Sequence, residues 1–180
     1  MITISLCMIL KDEEDVLDRC LSSVKGLVDE IIIVDTGSTD ATKQIALQYT
    51  DQVFDFAWID DFAAARNYAF SKANMEYCMW LDADDVIEEK DRLDFLTLKN
   101  TLTLDTDIVM MRYNTAFDDD GNPSFWYYRE RIIRNDQSHP WQGAVHEVIT
   151  PNGSLLYSDV AICHRKLGAG DPDRNLNIYR

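Results

Sequence analysis

Two aspartates separated by one residue follow a short apolar segment near the middle of the chain. Asp82 and Asp84 come directly after residues 77–81, which have the composition of a buried strand. In an extended conformation residues i and i+2 project to the same face, so both carboxylates would point to one side. Such a pair can hold Mg²⁺ or Mn²⁺ while diphosphate oxygens and water complete the coordination. The alternative is a polar strand end with capping aspartates.

Two further residues are candidates for the same edge. Asp35 ends the apolar segment 30–35, and ligands of parallel sheets bind at the carboxyl ends of the strands. Arg66 is the cation nearest in sequence to these acidic residues, and a guanidinium can bind a diphosphate through two parallel hydrogen bonds. Alternatively, Asp35 closes a strand and caps the next helix, and Arg66 is a solvated helix charge.

The last quarter of the chain contributes a candidate metal ligand. His164 ends an apolar segment, and a neutral imidazole suits Mn²⁺ better than Ca²⁺. We therefore expect His164 to complete a metal site with Asp84. A plain hydrogen-bonded histidine is the alternative.

Alternating strands and helices must position these residues. The predicted strands are residues 2–8, 30–35, 53–58 and 77–81, and the predicted helices are residues 15–24, 41–49, 62–73 and 92–99. Gly26 is expected to end the first helix, and Asp60-Asp61 to open the third. This alternation predicts an α/β fold with a Rossmann-like, doubly wound, mostly parallel sheet.

The pattern changes in the second half of the chain. Residues 107–113, 126–133 and 145–149 have the composition of strands, and residues 118–123 that of a hairpin tip. We expect this half to add antiparallel strands. Its aromatic residues, Trp126, Tyr127, Tyr128 and Trp141, suit either a core or a sugar-stacking role. Arg131 and Arg134 would either reach a diphosphate or solvate a strand face.

Composition excludes several classes of protein. The chain has 180 residues, the size of one domain, and its formal net charge of −15 opposes binding to nucleic acid. Its four cysteines have no metal-site or disulfide spacing, which indicates a reducing compartment. Its longest apolar run, near the start, is too short for a transmembrane segment and lacks signal-peptide features. We expect a cytoplasmic protein.

Four ordered blocks carry a family resemblance. They are residues 20–23 (CLSS), 33–42 (IVDTGSTDAT), 65–67 (ARN) and 80–85 (WLDADD). They follow an apolar segment at the start of the chain and the charged residues that come directly after it. Together they resemble the family 2 glycosyltransferases of the GT-A fold. The resemblance implies that Asp35 contacts the base or ribose of a nucleotide-sugar donor and Arg66 its nucleotide or diphosphate. It places Asp82 and Asp84, with Ala83 between them, at the ribose and the metal.

The later half resembles one subgroup of that family. Residues 141–147 (WQGAVHE) precede a strand ending in Ile162-Cys163-His164, and some subgroup members carry tetratricopeptide-type helical repeats after the catalytic domain. Glu147 is the candidate general base, since a carboxylate in a pocket can take the acceptor's proton, and His146 competes with it. The resemblance favours Glu147, although this chain has His-Glu where many relatives have Glu-Asp.

The expected function is inverting transfer of a hexose from a nucleotide-diphosphate sugar, best a UDP-sugar, with Mn²⁺ or Mg²⁺ at the D-x-D motif. The acceptor is a peptide, a saccharide or a lipid-linked sugar. A catalytically silent nucleotide-sugar or Mg²⁺-binding module and a nucleotidyltransferase are the alternatives. We expect one domain: residues 1–100 bind the donor, 101–170 form the acceptor and catalytic half, and 171–180 begin a helical region of a longer protein.

Overall fold

An eight-stranded mixed sheet runs through the fold. The structure, a computed structural model, describes residues 1–167. The strands are β1 (Ile4–Leu10), β2 (Glu30–Asp35), β3 (Val53–Asp55), β4 (Tyr77–Trp80), β5 (Asp85–Val86), β6 (Ile108–Phe117), β7 (Pro123–Arg134) and β8 (Leu155–His164). Their order is β3-β2-β1-β4-β7-β6-β8-β5. Within residues 1–167, four of the seven strand pairings are parallel, which confirms the predicted fold class.

Four helices connect the first strands and cover the sheet. They are α1 (Leu17–Val24), α2 (Thr42–Ala46), α3 (Phe62–Phe70) and α4 (Glu89–Thr101). Helix α1 buries Leu17, Cys20, Leu21 and Val24, and Gly26 with φ 79° lies in the left-handed conformation just after it. Asp61 caps α3, since its carboxylate accepts a hydrogen bond from the Ala64 N–H at 2.9 Å. Among residues 1–167 no helix is long and apolar enough to cross a membrane.

The parallel half is buried on both faces, as its apolar runs predict. Leu6 and Met8 of β1 pack in the larger core, whereas Cys7 between them packs on the opposite face with Ile32 and Val34 of β2. Because strands with both faces covered need apolar residues at every position, β1 and β2 lack polar alternation. Their carboxyl ends are therefore the first places where polar side chains can gather.

The second half joins this sheet through an antiparallel contact. Strand β7 pairs with β4, and β6 and β7 form a long hairpin whose tip includes Gly121 at φ 82°. The hairpin tip at residues 118–123 is thus confirmed. Strand β8 returns parallel to β6 and ends at His164, beside the short β5 that follows the D-x-D motif. Strand β8 therefore brings the last quarter of the chain to the edge of the sheet where the parallel strands β1, β2 and β4 have their carboxyl ends.

Two expectations about elements need correction, and one strand was missed. The third strand ends at Asp55 rather than near residue 58. Residues 145–149 form no strand. They belong to a loop held by an isolated bridge between Gln142 and Val148. The two-residue β5 was not predicted, because its length is below what sequence patterns detect. The expected helical start at residues 171–180 lies outside the described residues.

Candidate active site

A cleft of about 870 Å³ opens at the carboxyl edge of the parallel strands. Seven of the predicted site residues line it: Arg66, Asp82, Ala83, Asp84, His146, Glu147 and His164. They come from α3, the segment after β4, the loop before β8 and the end of β8. The cleft therefore gathers residues from both halves of the chain.

The D-x-D motif forms a turn rather than the extended segment we expected. The Asp85 N–H donates to the Asp82 carbonyl at 3.0 Å, and Ala83 and Asp84 occupy the turn. Asp82 and Asp84 nevertheless both line the cleft. The turn directs these two carboxylates to different partners, Arg66 for Asp82 and His164 for Asp84.

Arg66 links the D-x-D motif to the candidate base. Its Nη2 donates to Asp82 at 2.8 Å and its Nε to Glu147 at 2.7 Å. Its guanidinium also lies 4.7 Å from the Trp80 ring centroid and 4.9 Å from that of Trp141. The alternative of a solvated helix charge is excluded, because only 7 % of the side chain is exposed.

Charge pairing at Arg66 outweighs the effect of burial. Burial alone would lower the pKa of Arg66, but Asp82 and Glu147 raise it above its usual value. Burial would likewise raise the pKa of Asp82, but Arg66 and then Arg131 lower it. Asp82 therefore stays ionised at neutral pH. Among the described residues Nη1 of Arg66 has no hydrogen-bond partner, so one donor remains available to a ligand.

His164, at the end of β8, contacts the acidic residues that follow β4. Its Nδ1 lies 3.2 Å from carboxylate oxygens of both Asp84 and Asp85 and 2.9 Å from the Tyr113 hydroxyl. Hydrogen bonds to Asp84 and Asp85 raise the pKa of His164 to about 10, against the opposing effect of burial. A cation bound here would replace a proton. Ligand atoms of Asp84, Asp85 and His164 lie within 4.8 Å of one another, a donor set of carboxylate and imidazole that suits Mn²⁺ and Mg²⁺.

A loop pinned to α3 carries the two candidate bases. Asn67 accepts from the Trp141 N–H at 2.9 Å and donates to its carbonyl at 3.0 Å, and the Phe62 N–H donates to the Ala144 carbonyl. Within this loop Glu147 is half-buried and bonded to Arg66, whereas His146 is exposed with φ 55°. The left-handed backbone at His146 turns the chain so that the following carboxylate reaches the cleft.

Asp35 lies behind the cleft rather than on its wall. Its Oδ2 accepts from the N–H groups of Gly37 and Ser38 at 3.1 and 3.0 Å, and the neighbouring Thr36 lines the cleft. The carboxylate therefore holds the turn after β2, but it does not cap α2, which begins only at Thr42. Its Oδ1 has no hydrogen-bond partner among the described residues.

Two arginines and two tryptophans for which the sequence left two roles open lie outside the lining of the cleft. Arg131 is completely buried beneath the motif and paired with Asp85, so it neither solvates a strand face nor reaches the cleft. Arg134 lies at the opposite edge of the sheet with Asp107 and Asp136. Trp141 is a core residue that packs edge-to-face against Trp80, and Trp126 is 41 % exposed outside the cleft.

Several residues of the site were not found from sequence. Trp80 stacks on Arg66, Asn67 pins the loop, and Arg129 lines the cleft. Trp80 and Asn67 lie inside the blocks that carry the family resemblance, so a signal was present for them. No pattern points to Arg129, because a cation on a hairpin strand is usually solvated.

Fold and cleft together define a class: α/β proteins whose ligand-binding cleft lies at the carboxyl ends of the parallel strands. The sequence model of the glycosyl transferase family 2 matches residues 5–158, most of the chain. The protein belongs to this family.

Curated relatives are similar over about half of the chain. A TPR repeat-containing protein of Synechococcus elongatus is 48 % identical over 85 residues, which are 47 % of this chain and 21 % of that protein. This similarity agrees with the expected resemblance to family members that carry tetratricopeptide-type repeats. The SPbeta prophage-derived glycosyltransferase SunS of Bacillus subtilis is 33 % identical over 92 residues, or 50 % of this chain and 22 % of SunS. The aligned part spans only a fifth to a third of these relatives.

Solved structures show the GT-A fold. Residues 1–349 of TarS from S. aureus, in complex with UDP-GlcNAc, superpose with a TM-score of 0.52 at 21 % identity, covering 63 % of this chain and 35 % of that chain. Glucosyl-3-phosphoglycerate synthase from Mycobacterium tuberculosis, in complex with Mn²⁺ and UDP-glucose, superposes with a TM-score of 0.51 at 20 % identity. The match covers 62 % of this chain and 44 % of that chain. At these identities the likeness concerns the fold.

Proposed function

We propose that this domain transfers a hexose from a UDP-sugar to an acceptor with inversion at the anomeric carbon, assisted by Mn²⁺ or Mg²⁺. The observation that carries the proposal is that one cleft is lined both by the Asp84–His164 pair and by the Asp82–Arg66–Glu147 chain of ion pairs. UDP-sugar complexes of two proteins with the same fold support this choice of donor.

Asp84 and His164 would hold the cation. Its chemistry is that of a Lewis acid, which stabilises the charge that develops on a departing diphosphate. Asp82 stays ionised beside Arg66, so both of its oxygens can only accept hydrogen bonds, as from ribose hydroxyls. Nη1 of Arg66, which lacks a partner among the described residues, is a donor for a diphosphate oxygen. The contact of Asp35 with the base or ribose stays a prediction that this geometry does not favour, because the carboxylate is buried behind Thr36 and holds the turn after β2.

Glu147 would accept the proton of the attacking acceptor group. Its carboxylate is held by Arg66 at one oxygen, which fixes its orientation, and 14 % of the side chain is exposed to the cleft. A base that receives the acceptor's proton while the diphosphate leaves from the opposite face gives inversion. His146, exposed on the same loop, is the competing base.

Both halves of the chain contribute to this scheme. Donor-binding residues come from the part before residue 100, and the candidate base and imidazole from residues 101–167. We propose one catalytic unit, with the acceptor, whether peptide, saccharide or lipid-linked sugar, entering beside Glu147. The four cysteines are buried, free thiols, which supports a reducing, cytoplasmic setting.

Calorimetric titration tests the donor assignment. UDP and UDP-glucose are titrated with Mn²⁺ and again with EDTA, with GDP-mannose as the comparison. We expect binding of the uridine compounds that depends on Mn²⁺ and is lost on Asp84→Ala, whereas the urea unfolding curve of that variant is unchanged. Metal-independent binding would contradict the role of Asp84. Binding without release of glucose to any acceptor, or to water, would favour a silent nucleotide-sugar module.

A further inference from the structure

The aromatic side chain of Trp58 lines the cleft but takes no part in the donor and base assignments above. It lies in the segment without regular structure between β3 and α3. Its Nε1 donates to Oδ1 of Asp60 at 2.8 Å, and its ring packs edge-to-face against Phe62 at a centroid distance of 4.8 Å. These two contacts hold a half-buried indole in one orientation.

The backbone beside this indole has an unusual conformation. Asp60 has φ 58°, in the left-handed region that residues other than glycine seldom adopt. With this backbone, its carboxylate reaches back to the indole N–H two residues earlier. Strained conformations of this kind cluster where a binding surface must be pre-organised. The cleft therefore contains a fixed aromatic ring with an exposed carboxylate at its edge.

Contacts link this indole to the loop of the candidate base. The N–H of Phe62, on which Trp58 packs, donates to the Ala144 carbonyl at 2.9 Å. Arg66, one turn further along α3, donates to Glu147 at 2.7 Å. Two residues of the same loop, Val145 and Val148, also line the cleft on either side of His146-Glu147 in sequence. An apolar surface therefore adjoins the group that would take the acceptor's proton.

The chemistry of this surface suits a sugar ring. One face of a hexopyranose presents C–H groups and is apolar, whereas its rim carries hydroxyls. The indole nitrogen is already bonded to Asp60, so the ring of Trp58 offers a ligand an apolar face rather than a donor. The carboxylate of Asp60 at the edge of that ring can accept hydrogen bonds from hydroxyls. An apolar surface with a few polar groups at its border is the usual composition of a small-molecule site.

We propose that Trp58 is a specificity-determining residue: its ring packs against the apolar face of an acceptor hexopyranose, so that the acceptor is a saccharide. This inference rests on the proposed transferase function. In the transfer, the acceptor oxygen bonds to the anomeric carbon and passes its proton to Glu147. The bond to the diphosphate breaks, and its electron pair leaves with UDP. Asp60 is a positioning residue, because it holds the indole.

Saturation-transfer NMR of simple glycosides tests this inference. Methyl β-glucopyranoside, methyl β-galactopyranoside and methyl β-mannopyranoside are each titrated onto the full chain with Mn²⁺ and UDP. Saturation of the ring C–H protons reports the face in contact, and its concentration dependence gives Kd. We expect at least one glycoside to bind through its C–H face, and Trp58→Ala to weaken that binding about 10-fold, since the aromatic contact is lost.

Two milder variants and a control accompany Trp58→Ala. Trp58→Phe keeps an aromatic ring and should retain part of the affinity. Asp60→Gly tolerates the left-handed backbone but removes the carboxylate, so it should weaken binding several-fold. If Trp58→Ala fails to fold in urea titrations, these two variants decide. Trp126→Ala is the matched control, because that indole also packs edge-to-face on an aromatic ring but lies outside the cleft. Its glycoside affinity should equal that of the wild type.

The outcomes separate the inference from the function on which it rests. Equal glycoside affinity in the wild type and the Trp58 variants overturns the inference alone. So does a wild type that binds UDP with Mn²⁺ but none of the three glycosides, which would favour a peptide acceptor. If Trp58→Ala loses UDP affinity in calorimetry as much as glycoside affinity, Trp58 stacks on the donor's base and the acceptor assignment is wrong. A wild type that binds neither UDP nor glycoside overturns the proposed function as well.

Discussion

At each of the two edges of the sheet where strands end, one arginine pairs with two carboxylates. The two arginine bridges differ in their surroundings. At the amino edge, Arg134 pairs with Asp107 at 2.9 Å and Asp136 at 2.6 Å, and donates to the Leu104 carbonyl at 3.0 Å. About a third of its side chain is exposed. Its neighbours are turn and strand-end residues, and each of its guanidinium nitrogens has a partner.

At the carboxyl edge, Arg66 makes the same kind of bridge between Asp82 and Glu147 with only 7 % of its side chain exposed. It lies between two tryptophan rings, and its Nη1 has no partner among the described residues. An unpartnered buried donor is costly unless a ligand completes it. A bridge that is complete within the protein indicates a structural role. Arg66 lines the cleft and has a donor without a partner among the described residues, and these two facts together indicate a binding role.

Replacing one carboxylate in each bridge gives the largest expected difference. Glu147→Gln should lower the rate of glucose release from UDP-glucose to water about 100- to 1,000-fold, because the base is lost while the shape is kept. Donor affinity should change little. Asp107→Asn at the other bridge should leave the rate unchanged and lower the free energy of unfolding by about 1 kcal/mol.

His146→Ala completes that comparison. If His146 is the base, its variant loses the activity and Glu147→Gln retains it, which would reverse the assignment. Rates are followed by glucose release at saturating UDP-glucose and Mn²⁺, and stability by urea unfolding of each variant.

Much of the first half could be predicted from its sequence. Continuous apolar runs specify strands covered on both faces, so β1, β2 and β4 and the edge where they end followed from composition. That edge is where Asp82, Asp84 and Arg66 now lie. The roles assigned to them remain predictions, whereas their common location is observed.

The pairings within the site could not be predicted in the same way. Arg66 and Glu147 are 81 positions apart and meet only because Asn67 pins the loop after Trp141 onto α3. Arg131 is buried because β7 has an irregularity there: Val109 pairs with Ile132 and Met110 with Glu130, which leaves Arg131 as the extra residue. A bulge breaks the two-residue alternation, so sequence spacing gave the wrong surroundings for this side chain.

Replacement of Arg66 and of Arg134 by lysine should give an effect of intermediate size, on the affinity for UDP-glucose. Arg66→Lys keeps the charge but loses the second hydrogen bond, the free donor and the stacking on both rings. We expect UDP-glucose affinity in Mn²⁺ to fall about 10-fold, or roughly 1.4 kcal/mol. Arg134→Lys should leave that affinity unchanged. Calorimetry of both variants measures the difference, and an equal loss in both would mean that the two bridges are alike.

The smallest effect concerns pH at the structural bridge. Partial burial would raise the pKa of Asp136, but hydrogen bonds from Ser138 and then the pairing with Arg134 lower it to about 2. Since the folded-state pKa lies below the unfolded value of about 3.9, this carboxylate stabilises the fold at higher pH. Its contribution declines as pH falls from about 4 towards 2.

Asp136→Asn should therefore lower the free energy of unfolding by about 1 kcal/mol at pH 7, a value reduced from roughly 2 kcal/mol for the exposed third of the side chain. The difference in the free energy of unfolding between the variant and the wild type should begin to narrow below about pH 4. Protonation of the Asp136 carboxylate then removes the stabilisation that the wild type has at higher pH. Urea unfolding of both proteins between pH 7 and pH 3 measures this. A difference that stays constant down to pH 3 would show that the substitution removes packing or hydrogen bonds rather than charge.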